Sequence, residues 1–340
     1  MGQLYLKILI IMGVLFAFAV PGFALKKLKL LGERATFTLS NILLYVCQPA
    51  LALSAFCTFT SEEWEVISAV PSSEFAKNFG IVAALAFASM MLMFGLCKLI
   101  FMRSKNRKKT DMYSCIAIFS NCGFLGVPFT EMLTDGDSLA VMYMMVFNVV
   151  YNFLCWTLGV ILITGDFKEI RVKKLVCNPA IISNVVAITL FFVPQINFFM
   201  FDGLTDLQTF PRYLAHMTAP LSMIIVGIRL AESNLKDLFC RAGIYLSGAL
   251  RLIVAPFMTF GLAVALFYLT GGMQGTGDYT YLAPVIAMAM SPAASVVAMA
   301  ERFSGDTKTA ADGFITNTVL SVIIIPLTVA AITAIWAGIV

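Results

Sequence analysis

Two stretches of this chain place helix-hostile and polar residues in the middle of apolar segments. One reads Asn121-Cys122-Gly123-Phe124-Leu125-Gly126-Val127-Pro128, and the other Met290-Ser291-Pro292-Ala293-Ala294-Ser295. Proline lacks an amide hydrogen and clashes with the preceding turn, so it suits the first turn of a helix better than its interior. Ser291-Pro292 reads as an N-cap and first-turn proline that begin a new half-helix, and Gly126-Val127-Pro128 can do the same. Each restart would expose free N–H groups and a positive dipole end. If the two tips meet, the meeting point favours an anion. The chemistry on offer is recognition rather than bond making. The bland alternative is a pair of proline kinks healed by neighbouring helices. The matched position of the two breaks in two halves favours a binding site.

Other polar groups lie in apolar surroundings. Arg251 sits ten residues into an apolar run, about 15 Å deep at 1.5 Å per residue. A charge there costs at least roughly 2.5–3.5 kcal/mol on insertion scales and needs a partner. A carbonyl freed by a helix break and a substrate carboxylate both qualify; arginine can grip the latter in bidentate fashion. Asn121 opens the first break and can donate or accept. Asn148 and Asn152 share one helix face, and Asn317 lies between Thr316 and Thr318; interhelical bonding is the competing role for all three. Ser291 and Ser295 are divided between capping and ligand roles. Asn41 and Gln48 could line a path or simply pack. His216, the single histidine, reads as interfacial rather than as a proton relay. Lys98 and Arg229 read as snorkelling side chains.

The elements that must position these groups follow from composition. Of 340 residues, 60% are hydrophobic and 12% charged, and the mean hydropathy is +0.91. Soluble domains carry about 25% charge, so the solvent is largely lipid. Ten apolar segments are expected, roughly at 5–25, 38–58, 75–101, 112–131, 138–163, 178–194, 214–232, 242–270, 280–303 and 311–337. The first resembles a signal peptide but is longer than the usual apolar core, and its cluster Lys26, Lys27, Lys29 follows the run instead of preceding it, so it reads as a retained span. Loops after the odd-numbered segments, with their flanks, carry 19 of the 23 basic residues; only Lys7, Lys77, Arg212 and Arg251 lie elsewhere. That bias predicts cytoplasmic odd-numbered loops and both termini outside. The net charge of +4 therefore describes topology and is no sign of a nucleic-acid partner. Eight cysteines (Cys47, Cys57, Cys97, Cys115, Cys122, Cys155, Cys177, Cys240) form no CxxC pair, so neither disulfides nor a metal site are expected. No Ser-His-Asp set or phosphate loop points to an enzyme.

The chain divides into two halves of five segments, 1–165 and 166–340. An offset of 169 places Gly136-Asp137-Ser138 on Gly305-Asp306-Thr307, Asn148 on Asn317 and Gly123 on Pro292. Together these suggest an internal duplication. An odd number of spans per half inserts the second half upside down, the arrangement that permits alternating access.

These residues resemble the auxin efflux carrier family, which includes malonate-permease-like bacterial proteins and plant auxin exporters. The resemblance rests on Ser120-Asn121-Cys122-Gly123-Phe124-Leu125-Gly126-Val127-Pro128 and on Arg251-Leu252-Ile253-Val254-Ala255-Pro256. Gln48-Pro49-Ala50-Leu51, Asn178-Pro179 and Ser291-Pro292-Ala293, followed by the Ala-Glu-Arg-Phe-Ser-Gly-Asp run, add to it. It implies an all-α membrane protein of ten transmembrane helices in two inverted five-helix repeats. The fold would be similar to bile-acid symporters and sodium–proton antiporters. Broken helices 4 and 9 would cross, Pro128 and Pro292 matching the family's crossover positions. A scaffold of helices 1, 2, 6 and 7 and a transport unit of helices 3–5 and 8–10 follow by the same analogy, as does a homodimer. Where plant members carry a long cytoplasmic loop, this chain has only the short stretch 164–177, which points to the compact microbial type. Its substrates are organic anions, from malonate and malate to indole acetate.

The expectation is thus a secondary carrier of a small organic anion in the plasma (inner) membrane. Its substrate site draws on Asn121, Cys122, Gly123, Gly126, Pro128, Asn148, Arg251, Ser291, Pro292, Ser295 and Asn317, with no cofactor. Sodium or proton coupling, transport of another metabolite, and a ligand or lipid sensor on the same fold remain open alternatives.

Overall fold

The computed structural model describes residues 2–32, 34–104, 106–166, 168, 178–201, 204–233, 241–270 and 277–339. Cys177, Cys240 and most of the 164–177 stretch lie outside them. Among the described residues the chain is helical, with no strand beyond one isolated bridge. Seven helices are long and apolar enough to cross a membrane: Gly2–Lys27, Ala35–Cys57, Ser72–Phe101, Ser138–Thr164, Asp206–Glu232, Ala242–Leu269 and Thr307–Trp336. Two shorter apolar helices, Cys122–Leu133 and Pro179–Phe192, accompany them. The fourth segment begins at Arg107, earlier than its apolar run, because Asn106 caps the helix by accepting from the Lys109 amide at 3.3 Å. The seventh likewise extends back to Asp206.

Three of the prolines inside spans have a shared local solution. Pro49, Pro128 and Pro256 each stand two residues after a wide π turn, at Leu43–Cys47, Cys122–Gly126 and Leu250–Val254. Proline cannot donate to the turn before it and its ring crowds the carbonyl four residues back. A π turn shifts that carbonyl to a different donor and widens the helix. Through these turns the helices Ala35–Cys57 and Ala242–Leu269 run on past Pro49 and Pro256 without a break.

Lipid supplies little hydrophobic force between helices, so close approach must. Gly22 and Gly227 provide it where the Ala19–Lys27 helix crosses Thr218–Glu232. A Cβ on Gly22 would collide with the Ile224 carbonyl, and one on Gly227 with the Ala19 carbonyl. The larger core cluster gathers Phe56, Phe79, Tyr143, Phe147 and Met290, among others.

The turns joining segment 4 to 5 and segment 9 to 10 are the same turn. Asp135 and Ser304 have φ of 54° and 55°. Gly136 N–H donates to Glu131 O, and Gly305 N–H to Ala300 O, each at 2.8 Å. Asp137 and Asp306 then cap the following helices. All these pairs are separated by 169 residues (304 − 135, 305 − 136, 306 − 137).

Candidate functional site

Both interrupted segments stop, run extended for a few residues and restart. Helix Arg107–Ile118 ends, Phe119 turns extended at φ −93°, ψ 107°, and the chain restarts as the Cys122–Gly126 turn leading into Val127–Leu133. Gly277–Ala289 ends, Ala293 is extended at φ −76°, ψ 137°, and Ala294–Arg302 follows. The extended pieces lie antiparallel, Ser120 opposite Pro292. Asn121 N–H donates to Ser291 O at 2.7 Å and Ala293 N–H to Phe119 O at 3.0 Å. These two bonds satisfy backbone groups that both breaks release into an apolar interior. Pro292 fits because residues directly opposite at such a pair exchange no bonds, so its missing N–H costs nothing.

Two details of the sequence reading are corrected here. Ser291-Pro292 is not the N-cap and first turn of the second half-helix; the ladder holds both residues, and the helix starts at Ala294. Gly126-Val127-Pro128 does not begin the first half-helix either. The restart lies at Cys122, after Asn121, whose carbonyl accepts from Leu125 N (3.1 Å) and Gly126 N (3.0 Å). Bridging, which the sequence does not reveal, overrides the local proline signal.

Arg251 is fully buried. Nη1 donates to Ala117 O at 3.0 Å and to Ile118 O at 2.7 Å. Nη2 donates to Met288 O and lies 3.4 Å from Met288 Sδ. These carbonyls sit at the C-terminal ends of the two first half-helices, where orphan C=O groups and the negative dipole end favour a cation. Both η-nitrogens are thereby engaged, and only Nε lacks a partner. One guanidinium fork ties segment 8 to both breaks.

The remaining candidates divide into groups. Cys122 Sγ lies 3.6 Å from Asn148 Oδ1, and a Cβ on Gly123 would be 2.9 Å from that oxygen. Gly126 faces Met290 and Met144. Asn148 thus packs on the first break, while its carbonyl accepts from Asn152 Nδ2 at 2.8 Å. Asn317, its repeat counterpart, turns elsewhere: its Nδ2 donates to Ile244 O at 3.4 Å on segment 8, and its side chain fills the space over Gly248. Asn317 Oδ1 and the hydroxyls of Ser291 and Thr318 are buried without partners. Ser295 Oγ and Tyr151 Oη share a hydrogen bond of 2.7 Å.

Two cavities border the bridged segments. The larger, about 920 Å3, is lined by Asn41, Asn152, Trp156, Arg229, Ala294 and Ser295, among others, and so reaches the tip of the second half-helix. The smaller, about 200 Å3, is lined by Glu63, Val127, Pro128, Glu131, Ser138, Arg212 and His216. Beside the smaller one, Glu63 accepts from Ser138 Oγ at 2.5 Å and from Thr60 N at 2.6 Å, and pairs with Arg212 at 3.6 Å. Burial pushes the Glu63 carboxyl up, but these bonds and the arginine outweigh it and hold the group below the usual carboxylate value. Arg229 does more than snorkel: it pairs with Glu301 at 3.0 Å on the wall of the larger cavity. Lys98 pairs with Asp111 at 3.1 Å. The signal for Arg229 and Glu301 was in the sequence, as two charges near span ends, but their meeting is 72 residues apart.

The profile of a family described as membrane transport protein matches residues 7–174 and again residues 166–329. No curated protein matches the chain.

Proposed function

The chain belongs to the membrane transport protein family, the auxin efflux carrier-like family, and from that premise we propose that it is a secondary carrier of a small organic anion. Malonate, malate and auxin-like carboxylates are the substrates in view. In this reading ten spans form two inverted repeats, 1–165 and 166–340. A scaffold of helices 1, 2, 6 and 7 holds a transport unit of helices 3–5 and 8–10, and broken helices 4 and 9 cross at the site. The carrier sits as a homodimer in the plasma membrane, with both termini outside and the larger cavity open to the cytoplasm.

The observation that carries the reading is the bridged pair of breaks with a helix tip at the floor of a cavity. Val296 N–H bonds back to Ala293 O at 3.2 Å, while Ala294 and Ser295, the first two residues of the helix, line the larger cavity together with Asn152. A carboxylate there gains the unbonded N–H groups of the first turn and the positive dipole end. Arg251 acts from behind, holding the two breaks in register. Alternating access follows if the transport unit moves so that the smaller pocket beside Val127 and Pro128 widens as the larger cavity closes.

The test is uptake into liposomes by the purified protein, with labelled malonate, malate or indole acetate and with or without sodium or proton gradients. Saturable uptake of at least one carboxylate is expected. Folded protein that moves no organic anion under any gradient overturns the proposal. Ion coupling is a second reading, supported by the unpartnered buried oxygens of Ser291, Thr318 and Asn317, since sodium takes oxygen ligands. Uptake that depends on a sodium gradient selects it.

A further inference from the structure

The turn that ends the second half-helix holds two charges its first-half counterpart lacks. At the offset of 169, Glu301 and Arg302 stand where the first half has Met132 and Leu133 (301 − 169, 302 − 169). The turn itself is the same in both halves, so its geometry does not call for an arginine.

That geometry does fix where Arg302 stands. Gly305 N–H closes on Ala300 O at 2.8 Å, and a Cβ on Gly305 would lie 2.9 Å from Ile163 Cγ2. The Asp306 carboxylate accepts from Thr309 N at 3.0 Å and Thr309 Oγ1 at 2.7 Å. Burial raises the Asp306 carboxyl, but these bonds, Lys109 and Arg241 outweigh it and hold it below the usual carboxylate value. The helix end is therefore pinned. Arg302 Cζ lies 5.6 Å from the Trp156 ring centre and 5.9 Å from that of Phe303, within reach of a cation–π interaction.

All three of these residues line the larger cavity. Its other charges are Arg229 and Glu301, which neutralise each other at 3.0 Å. Arg302 thus supplies the excess positive charge of the wall, and no ion pair with a carboxylate is found for it among the described residues. From Ala294 to Arg302 the helix rises about 12 Å at 1.5 Å per residue. The cation stands at one end of a helix whose positive dipole end forms the floor, so an anion meets the arginine first and the tip second.

We propose that Arg302, held on Trp156 and Phe303, is the residue that draws the substrate's carboxylate into the larger cavity and sets its preference for anions over neutral analogues. This rests on the carrier reading above. Across the roughly 12 Å to the tip, a unit charge changes affinity about twofold through water and about tenfold at the effective dielectric of a protein surface, and salt weakens it with a screening length of about 8 Å at physiological ionic strength.

The experiment titrates malonate and indole acetate separately into the protein in lipid nanodiscs, at low and high salt, and includes the amide of indole acetate. Arg302→Gln should weaken binding of the anion between about twofold and about tenfold at low salt, and the loss should shrink at high salt. Arg302→Lys should keep most of the wild-type affinity, because it keeps the charge. Affinity for the amide should not change. Equal affinities for wild type and Arg302→Gln at low salt overturn the proposal. So does a loss that is independent of salt or shared by the amide, since that marks a role in packing alone. If the wild type binds neither anion, the organic-anion reading fails, and this inference fails with it.

Discussion

Replacing Arg251 should loosen the crossing without touching the cavity. The guanidinium holds three carbonyls, those of Ala117, Ile118 and Met288, from two half-helices. Hydrogen bonds to charged groups are worth about 1.5–3 kcal/mol each, which sets a gross loss of roughly 4–9 kcal/mol for three. Against that stands the cost of burying the cation, several kcal/mol in real proteins. Polar contacts in membranes also average only about 0.6 kcal/mol in mutant cycles. The difference leaves a net destabilisation of about 2–4 kcal/mol for Arg251→Met, which keeps most of the volume. Arg251→Lys should lose about half as much, because one ammonium nitrogen cannot reach both half-helix ends as a two-armed fork does. Thermal or denaturant unfolding in detergent measures the loss, and transport in liposomes should fall in the same order: wild type, Lys, Met. If Arg251→Met matches the wild type in both, the carbonyls find other partners and the clasp argument is wrong. If transport is lost with stability unchanged, a direct contact with substrate through Nε replaces it.

Other expected outcomes rest on single contacts. Gly123→Ala should cost about 1–3 kcal/mol, because its Cβ would stand 2.9 Å from Asn148 Oδ1; adding Asn148→Ala should recover part of the loss in an unfolding assay. Gly227→Ala should cost at least as much, since its Cβ meets the backbone at Ala19 and Phe23, which cannot swing aside; melting temperature reads it out. Glu63 has a depressed pKa when folded, so its stabilising contribution is complete above the ordinary value of about 4.3 and is lost as pH falls through the lower folded value. Glu63→Gln should lower the melting temperature at neutral pH, where the charge contributes in full, and the difference from wild type should shrink as pH falls below about 4.5.

The breaks and the 169-residue offset could be read from the sequence because each has a local mark: glycine and proline in apolar runs, and the Gly-Asp pair at 136–137 and 305–306. What the sequence left undecided was long-range. Arg251 had two possible partners, and its destination depends on carbonyls 133 and 134 residues earlier. The restart at Ala294 rather than Ser291 comes from pairing with Phe119–Asn121, which no capping pattern announces. Asn317 is equivalent to Asn148 in sequence yet packs on Gly248 instead of on a break, since the neighbouring helices of the two halves differ. The π turns ahead of Pro49, Pro128 and Pro256 have no residue signature beyond the proline itself.

The central claim is that a transported carboxylate rests at the tip of Ala294–Arg302, and labelling at that tip tests it most directly. Ser295→Cys in a background free of other cysteines should react with a small thiol reagent entering from the larger cavity. A transported carboxylate should slow that reaction in a saturable way, with half-protection near its transport KM, and its neutral amide should not. A labelling rate indifferent to every anion the protein transports would contradict the account.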